Sequence, residues 1–288
     1  MISSYQQLNE QLLQFEALLL NNASNLLTLQ QLQSIHSAGV PYPEAYALGL
    51  AAMAGIDVDG SPEGRRFVYE MLLPCLHHFS PEDFSADPYL QTIRFPASSC
   101  GSVQYKSMEY APCELFPCGE TTHLPSGRIV APLGFFTQKF AYPAILEGGR
   151  IWMTVNPNEI LTMRQPVLEA RGRVLVYGLG LGYYAFMISQ KPEVESITIV
   201  ELNQSIIDIF TEEILPQFPQ SHKISILCND AFRHAEATRF EGFDTVFADI
   251  WHDVSDGLPL YRRFKQHEQL NPAPRYTYWI EPTLQSYM

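Results

Sequence analysis

Arg173-Val174-Leu175-Val176-Tyr177-Gly178-Leu179-Gly180-Leu181-Gly182 is the stretch on which the fold turns. A short apolar run passes directly into three glycines at alternate positions. Tyr183 to Gln190 then has helical character, and a second apolar run, Ile197 to Val200, ends in Glu201. A strand, a glycine turn, a helix and a strand tipped by a carboxylate make one βαβ nucleotide-binding unit. Glycines at 178, 180 and 182 let the backbone turn tightly and let a ligand lie against the main chain. The helix that follows directs its free N–H groups into the same space. A ribose presents two vicinal hydroxyls, and a carboxylate can accept from both, at about 1.5–3 kcal/mol per charge-assisted bond. Glu201 stands roughly twenty residues past the glycines, the spacing such an acid needs. The plain alternative is a glycine turn that merely reverses the chain, and the position of Glu201 speaks against it.

The dinucleotide fingerprint G-x-G-x-x-G would need glycine at position 183 or 185, which are Tyr183 and Ala185. Glycines at alternate positions instead resemble motif I of the Rossmann-like AdoMet-dependent transferases. That motif usually carries an acid two residues before the first glycine, where this chain has Val176. The spermidine synthase-like branch also lacks that acid, and Val174 to Gly182 resembles its version, with Leu181 where the branch has an acidic residue.

Three further segments are similar to the same superfamily. Ser196 to Asn203 resembles its second strand, which implies Glu201 as the ribose ligand with Leu202 beside it. Asn229-Asp230-Ala231-Phe232 follows a third apolar run, Ile224 to Leu227, and resembles the segment whose Asp accepts from the adenine amino group. The resemblance implies that role for Asp230, with the Ala231 N–H meeting the ring. Phe243 to Asp249 resembles the fourth strand, whose terminal Asp stands beside the reactive sulfonium. Leu146-Glu147-Gly148-Gly149-Arg150 is similar to the Leu-Asp-Gly turn upstream in spermidine synthases. The likeness covers about 140–280 and is dense only from 173 to 250. It implies S-adenosyl-L-methionine, or a related adenosyl sulfonium, held by Gly178, Leu179, Gly180, Gly182, Glu201, Leu202, Asp230, Ala231 and Asp249.

With 288 residues, the chain has room for two modest domains, or for one with a substantial extension. Hydrophobic content of 46% against 17% charged residues excludes an intrinsically disordered protein. The net charge of −13 is spread over both halves; it repels phosphate backbones and argues against a nucleic acid substrate. It suits a small or cationic acceptor. Cys75, Cys100, Cys113, Cys118 and Cys228 are too few and too irregular for a disulfide framework. No C-x-x-C pair exists, so ordinary loop and strand cysteines are expected and no metal. Met1 to Gln6 has no basic n-region, and no run reaches membrane-spanning length. A reduced, cytoplasmic protein is the expectation.

Residues 1–92 read as a small helical domain. Leu8, Leu12, Phe15 and Leu19 recur at helical spacing, Leu26 to Ile35 resumes the pattern, and Glu44 to Ala54 makes a third helix. Ser61-Pro62-Glu63 and Ser80-Pro81-Glu82-Asp83 each put an N-cap serine before a proline at the first helical position. Residues 93–165 form a loop and β-hairpin region, with Phe135 to Phe140 and Arg150 to Val155 as its strands. Residues 166–288 form the nucleotide domain. After Asp230 come a helix over Ala231 to Thr238, the fourth strand, a helix over Leu258 to Gln269, and a fifth strand over Arg275 to Ile280. The fold expected is α/β: five parallel strands in the order 3-2-1-4-5, a shortened methyltransferase sheet. One edge would be bare unless the upstream segment or a second subunit covers it, which predicts a homo-oligomer, a dimer in the simplest case.

The candidate chemistry lies in Asp249-Ile250-Trp251-His252-Asp253-Val254-Ser255-Asp256, after the fourth strand, where α/β sheets put their ligands. Spermidine synthases read Asp-Ser-Ser/Thr-Asp-Pro here, and the resemblance implies that Asp249 handles the acceptor's proton. The second Asp of that pattern falls at His252, a second catalytic candidate as general base. The upstream Tyr-His-Glu acceptor motif has no counterpart, Asn158-Glu159 being the nearest polar pair. The Asp/Asn-Pro-Pro-Tyr/Phe motif of DNA amino-methyltransferases is absent, since Asp249-Ile250-Trp251 lacks both prolines. Trp251 reads as a stacking surface or as core, and Tyr183 and Tyr184 as pocket wall or as core. The reading adopted is an AdoMet-dependent transferase passing a methyl group to a small molecule. Aminopropyl transfer, a nucleotide-binding domain without catalysis and an NAD(P)-dependent oxidoreductase remain open at this point.

Overall fold

The computed structural model describes residues 26–124, 127, 129–237 and 242–288. The first expected helix, with Leu8, Leu12, Phe15 and Leu19, lies outside the described residues, as does Thr238. The chain forms two compact units that do not follow its linear order: Met1–Asp83 with Glu109–Ala141, and Phe84–Met108 with Tyr142–Met288.

In the first unit, helix Leu29–His36 opens on a capping box. Thr28 Oγ1 accepts from the Gln31 N–H, and Gln31 Oε1 accepts from the Thr28 N–H. Helix Tyr42–Met53 starts after Pro41, and a short helix Pro62–Arg66 starts on Ser61, as its Ser-Pro pair predicts. Leu32, Tyr46, Leu50, Val68 and Phe135 are among its fully buried residues, and the Tyr46 hydroxyl donates to the Cys113 carbonyl at 2.7 Å. One element departs from the helical expectation. Leu76–Phe79 is a strand, paired in parallel with Leu133–Phe136, whose other side takes Phe116–Pro117. The helix Phe67–Leu72 stops just before the Leu73-Pro74 pair, and the strand finds its partner more than fifty residues downstream, beyond the reach of any local pattern.

The second unit is built on a five-stranded, all-parallel sheet. Numbered along the chain, Gly172–Tyr177, Val194–Glu201, Ile224–Cys228, Thr245–Ala248 and Arg275–Tyr278 lie in the order 3-2-1-4-5. Val174 to Tyr177 are all buried, because the central strand is flanked on both sides and covered on both faces. That is why it reads as an unbroken apolar run rather than an alternation. Helices Tyr183–Ser189, Gln204–Ile209, Ala231–Ala237 and Val254–Leu270 make or follow the crossovers. The last begins four residues before the expected Leu258: Asp253 is its N-cap and Asp256 completes a capping box.

The hairpin also differs from the expected pairing. The strand opposite Arg150–Thr154 is Phe140–Glu147, not Phe135 to Phe140. Gly148 and Gly149, at φ +57° and +81°, make a two-residue turn that sets Glu147 across from Arg150. Leu146 faces Ile151 and Ile145 faces Met153, so Trp152 is the extra residue of a β-bulge. No helix among the described residues is long and apolar enough to cross a membrane.

Candidate functional site

The site grows from the end of the central strand. Gly178 donates its N–H to the Val200 carbonyl at 2.9 Å and has φ +96°. A Cβ there would overlap the backbone carbonyl of Asp249, which cannot move aside, so the close approach of two strand ends itself requires glycine. Gly180 lies against the sulfur of Met153, the end of a flexible side chain. Gly182 packs on the Phe210 ring and starts helix Tyr183–Ser189.

Glu201, at the tip of the second strand, is fixed by two backbone donors. Its Oε2 accepts from the Leu179 N–H at 2.9 Å and its Oε1 from the Asn203 N–H at 2.8 Å. Asn203 in turn caps helix Gln204–Ile209 and donates through Nδ2 to Glu147 Oε1 at 3.1 Å, tying the hairpin turn to the carboxylate strand. Asp230 Oδ1 accepts from the Arg233 N–H at 2.8 Å at the start of helix Ala231–Ala237. Its other oxygen keeps its acceptor capacity.

Gly178, Gly180, Glu201, Leu202, Asp230, Ala231, Asp249 and His252 line a single cleft of about 370 Å³, together with Trp152, Met153, Phe232 and Arg263. Of the candidates read from the sequence, Leu179 and Gly182 do not line it. Leu179 acts through its N–H on Glu201, and Gly182 serves the helix start. Leu202 is 67% exposed above the cleft. The Arg263 guanidinium lies 3.8 Å over the Phe232 ring and pairs with Glu236 at 3.0 Å.

Asp249 is 7% exposed, and its carboxyl is pushed up to about 8, chiefly by burial and then by the charge of Glu201. Glu159, on helix Pro157–Thr162, is raised well above the usual carboxyl range, again by burial first and then by Asp249. Glu159 as a residue is only half-buried, yet its carboxyl sits in dense surroundings, and the direction of the shift follows the carboxyl. Neither carboxyl accepts a hydrogen bond from any described residue. His252 is exposed, with Nδ1 3.2 Å from Asp256 Oδ2 and its ring edge-on to Trp152 at 3.8 Å between centroids.

Four contributors escaped the sequence reading as site residues. Met153 covers Gly180. Glu159 faces Asp249 electrostatically, having been visible only as half of a polar pair. Asp87 accepts from the Tyr183 hydroxyl at 2.9 Å, and Tyr89 donates its own hydroxyl to the Leu181 carbonyl inside the glycine turn. Asp87-Pro88 is a legible helix start, but nothing local connects it to a turn ninety residues on. Tyr183 is therefore a brace for the turn and does not line the cleft, and Tyr184 is core, stacked on Phe247 at 3.9 Å. Among the described residues, no group of three His, Cys, Asp or Glu side chains is gathered to hold a metal ion.

No family model and no curated relative matches the sequence. Solved structures similar to the chain include human methyltransferase-like protein 13 in complex with SAH, at 21% identity and a TM-score of 0.31 over 44% of this chain and 64% of that one. A putative O-methyltransferase from Klebsiella pneumoniae is similar at 18% identity and a TM-score of 0.29, over 40% of this chain and 49% of that one. Spermidine synthase from Thermotoga maritima is similar at 14% identity and 0.34, over 47% and 48%. The chain thus spans less than two thirds of the length of each.

Proposed function

We propose that the chain is an AdoMet-dependent transferase that passes a methyl group to a small-molecule acceptor. The observation that carries the reading is Glu201. It ends the strand beside the glycine turn, lines the cleft, and is held by two backbone donors. Each of its oxygens has a second lone pair for a ribose hydroxyl. The residues fit an adenosyl group. The main chain at Gly178 is bare because no Cβ is tolerated, and Asp230 and Ala231 line the same cleft. Glu201 would hold the ribose, Asp230 the adenine amino group, and the strand ends at Gly178 and Asp249 would flank the remainder.

AdoMet, when bound, supplies a methyl carbon on a cationic sulfur, whose C–S electrons return to sulfur as the acceptor's lone pair takes the carbon. The chain's own part is orientation and the proton. Asp249 suits the second task, because a carboxyl titrating near 8 both holds and releases a proton at neutral pH. His252 is the alternative base, and its pairing with Asp256 would orient its ring. A soluble, cytoplasmic homodimer without nucleic acid or membrane partners remains part of the proposal, with a bare edge of the sheet as the place where a second copy would pair.

Aminopropyl transfer is the second reading. One observation favours it: the Asn203–Glu147 bond joins the hairpin turn, similar in sequence to that of spermidine synthases, to the ribose strand. Parallel calorimetric titrations with AdoMet, decarboxylated AdoMet, methylthioadenosine and NAD test both readings. AdoMet as the tightest ligand supports methyl transfer, and preference for the decarboxylated form supports the second reading. Binding of NAD alone, or of none, overturns both.

A further inference from the structure

A second cavity of about 170 Å³ adjoins the nucleotide cleft, sharing Trp152, Met153, Asp249, Trp251 and His252 with it, while Glu159 and Trp279 line the second cavity and not the cleft. The sequence contains three tryptophans, and all three line this cavity: Trp152, Trp251 and Trp279. They come from distant places: the bulge of the hairpin, the segment after the fourth strand, and the residue after the fifth. Trp279 is 5% exposed and fixed by its indole N–H, which donates to Thr162 Oγ1 at 2.9 Å. Trp251 is 4% exposed, and its indole N–H has no acceptor among the described residues.

Glu159 and Asp249 line the same cavity. No lysine or arginine is among the described residues that line the cavity, and its one imidazole, His252, is engaged by Asp256. Burial works against both carboxyls, and neither has a hydrogen-bond donor. Two buried, unpaired carboxyls under aromatic walls are poorly suited to an anion or to a neutral apolar ligand. A cation would answer both features, since ring faces attract ammonium groups and each carboxyl would gain a counter-charge. At ~30 Å³ for each water-sized group, the cavity takes roughly five or six of them, which is the size of a compact head rather than an extended chain.

We infer that this cavity binds a compact alkylammonium group of the acceptor, with the three tryptophans as its walls and Glu159 and Asp249 as its counter-charges. That the bound amine is also the group methylated rests on the transferase reading; that a cation binds does not.

Choline and its uncharged carbon isostere 3,3-dimethylbutan-1-ol, titrated separately into the full chain, test this. The cation should bind at least about tenfold more tightly than the isostere. Glu159→Gln mimics a protonated carboxyl and so keeps the fold; it should weaken choline by about tenfold and leave AdoMet binding unchanged. Trp279→Leu, checked for folding by circular dichroism, should have the same effect on choline. Equal binding of cation and isostere, no binding of either, or full affinity in the Glu159 variant overturns the inference. AdoMet binding alone would then leave the transferase reading standing, whereas choline binding without AdoMet would do the reverse.

Discussion

Glu201→Gln is the substitution that tests the nucleotide site most cleanly. Glu201→Ala would strip the acceptor from two backbone N–H groups, those of Leu179 and Asn203, and loosen the very turn under test. Glutamine keeps the length and one acceptor oxygen. In the parent, each ribose hydroxyl would donate to an ionised carboxylate, worth about 1.5–3 kcal/mol per bond. The amide loses one of these outright and turns the other into a neutral bond, so the expected loss is about 2–4 kcal/mol, or roughly 30- to 1000-fold in Kd. Stability should fall by less. One of the two backbone donors meets an amide NH₂ instead of an oxygen, at a cost of about 1–3 kcal/mol against global unfolding. Calorimetry with AdoMet gives the first number and urea denaturation the second. A variant that unfolds cooperatively and binds AdoMet within threefold of the parent would refute the ribose assignment.

Three further outcomes are expected. Gly178→Ala drives a Cβ into the Asp249 carbonyl at a φ of +96° and should cost at least about 2 kcal/mol in urea denaturation, whereas Gly180→Ala meets only the movable end of Met153 and should cost less; equal losses would contradict the packing described. Tyr89→Phe removes the donor to the buried Leu181 carbonyl and should destabilise by about 1–3 kcal/mol, measured by thermal unfolding, with weaker nucleotide binding following from a looser turn. Asp249 titrates near 8 in the folded chain and near 3.8 unfolded, so the folded state binds its proton more tightly; its contribution to stability is full below about pH 4 and is lost as pH rises toward 8. Asp249→Asn should therefore flatten the fall in melting temperature between pH 5 and 8, and an unchanged slope would place the titration elsewhere.

What could be read from the sequence depended on how local the cause was. The central strand was legible because a strand buried on both faces must be apolar throughout, and Val174 to Tyr177 are. Glu201 was legible because the crossover fixes its spacing from the glycines. The hairpin partner of Arg150–Thr154 was not, because both Leu133–Phe136 and Phe140–Glu147 are apolar runs, and only the pairing of the former with Leu76–Phe79 decides between them. Asp87 and Tyr89 read as the tail of a helical domain, yet their side chains reach Tyr183 and Leu181 across more than ninety residues. Trp152 and Met153 gain their positions from a β-bulge, a register feature that alternation along one strand does not reveal.

The electrostatics of the site bear on whether it is functional or structural. Glu201 raises Asp249, Asp249 raises Glu159, and no basic side chain is among the causes acting on either raised carboxyl. Arg263, the one guanidinium lining the cleft among the described residues, is committed to Glu236 and the Phe232 ring. At neutral pH this row of acids works against folding. Asparagine or leucine at position 249 would pack in the same volume without that cost. A purely structural site gains nothing from keeping the acids. A site whose ligands are cationic does, because a sulfonium on one side of Asp249 and an ammonium on the other each supply the charge that the folded chain lacks. Each then stabilises the fold by mass action as it binds. The cost these acids impose on folding and the affinity they lend to cationic ligands are, on this reading, the same free energy measured in two states.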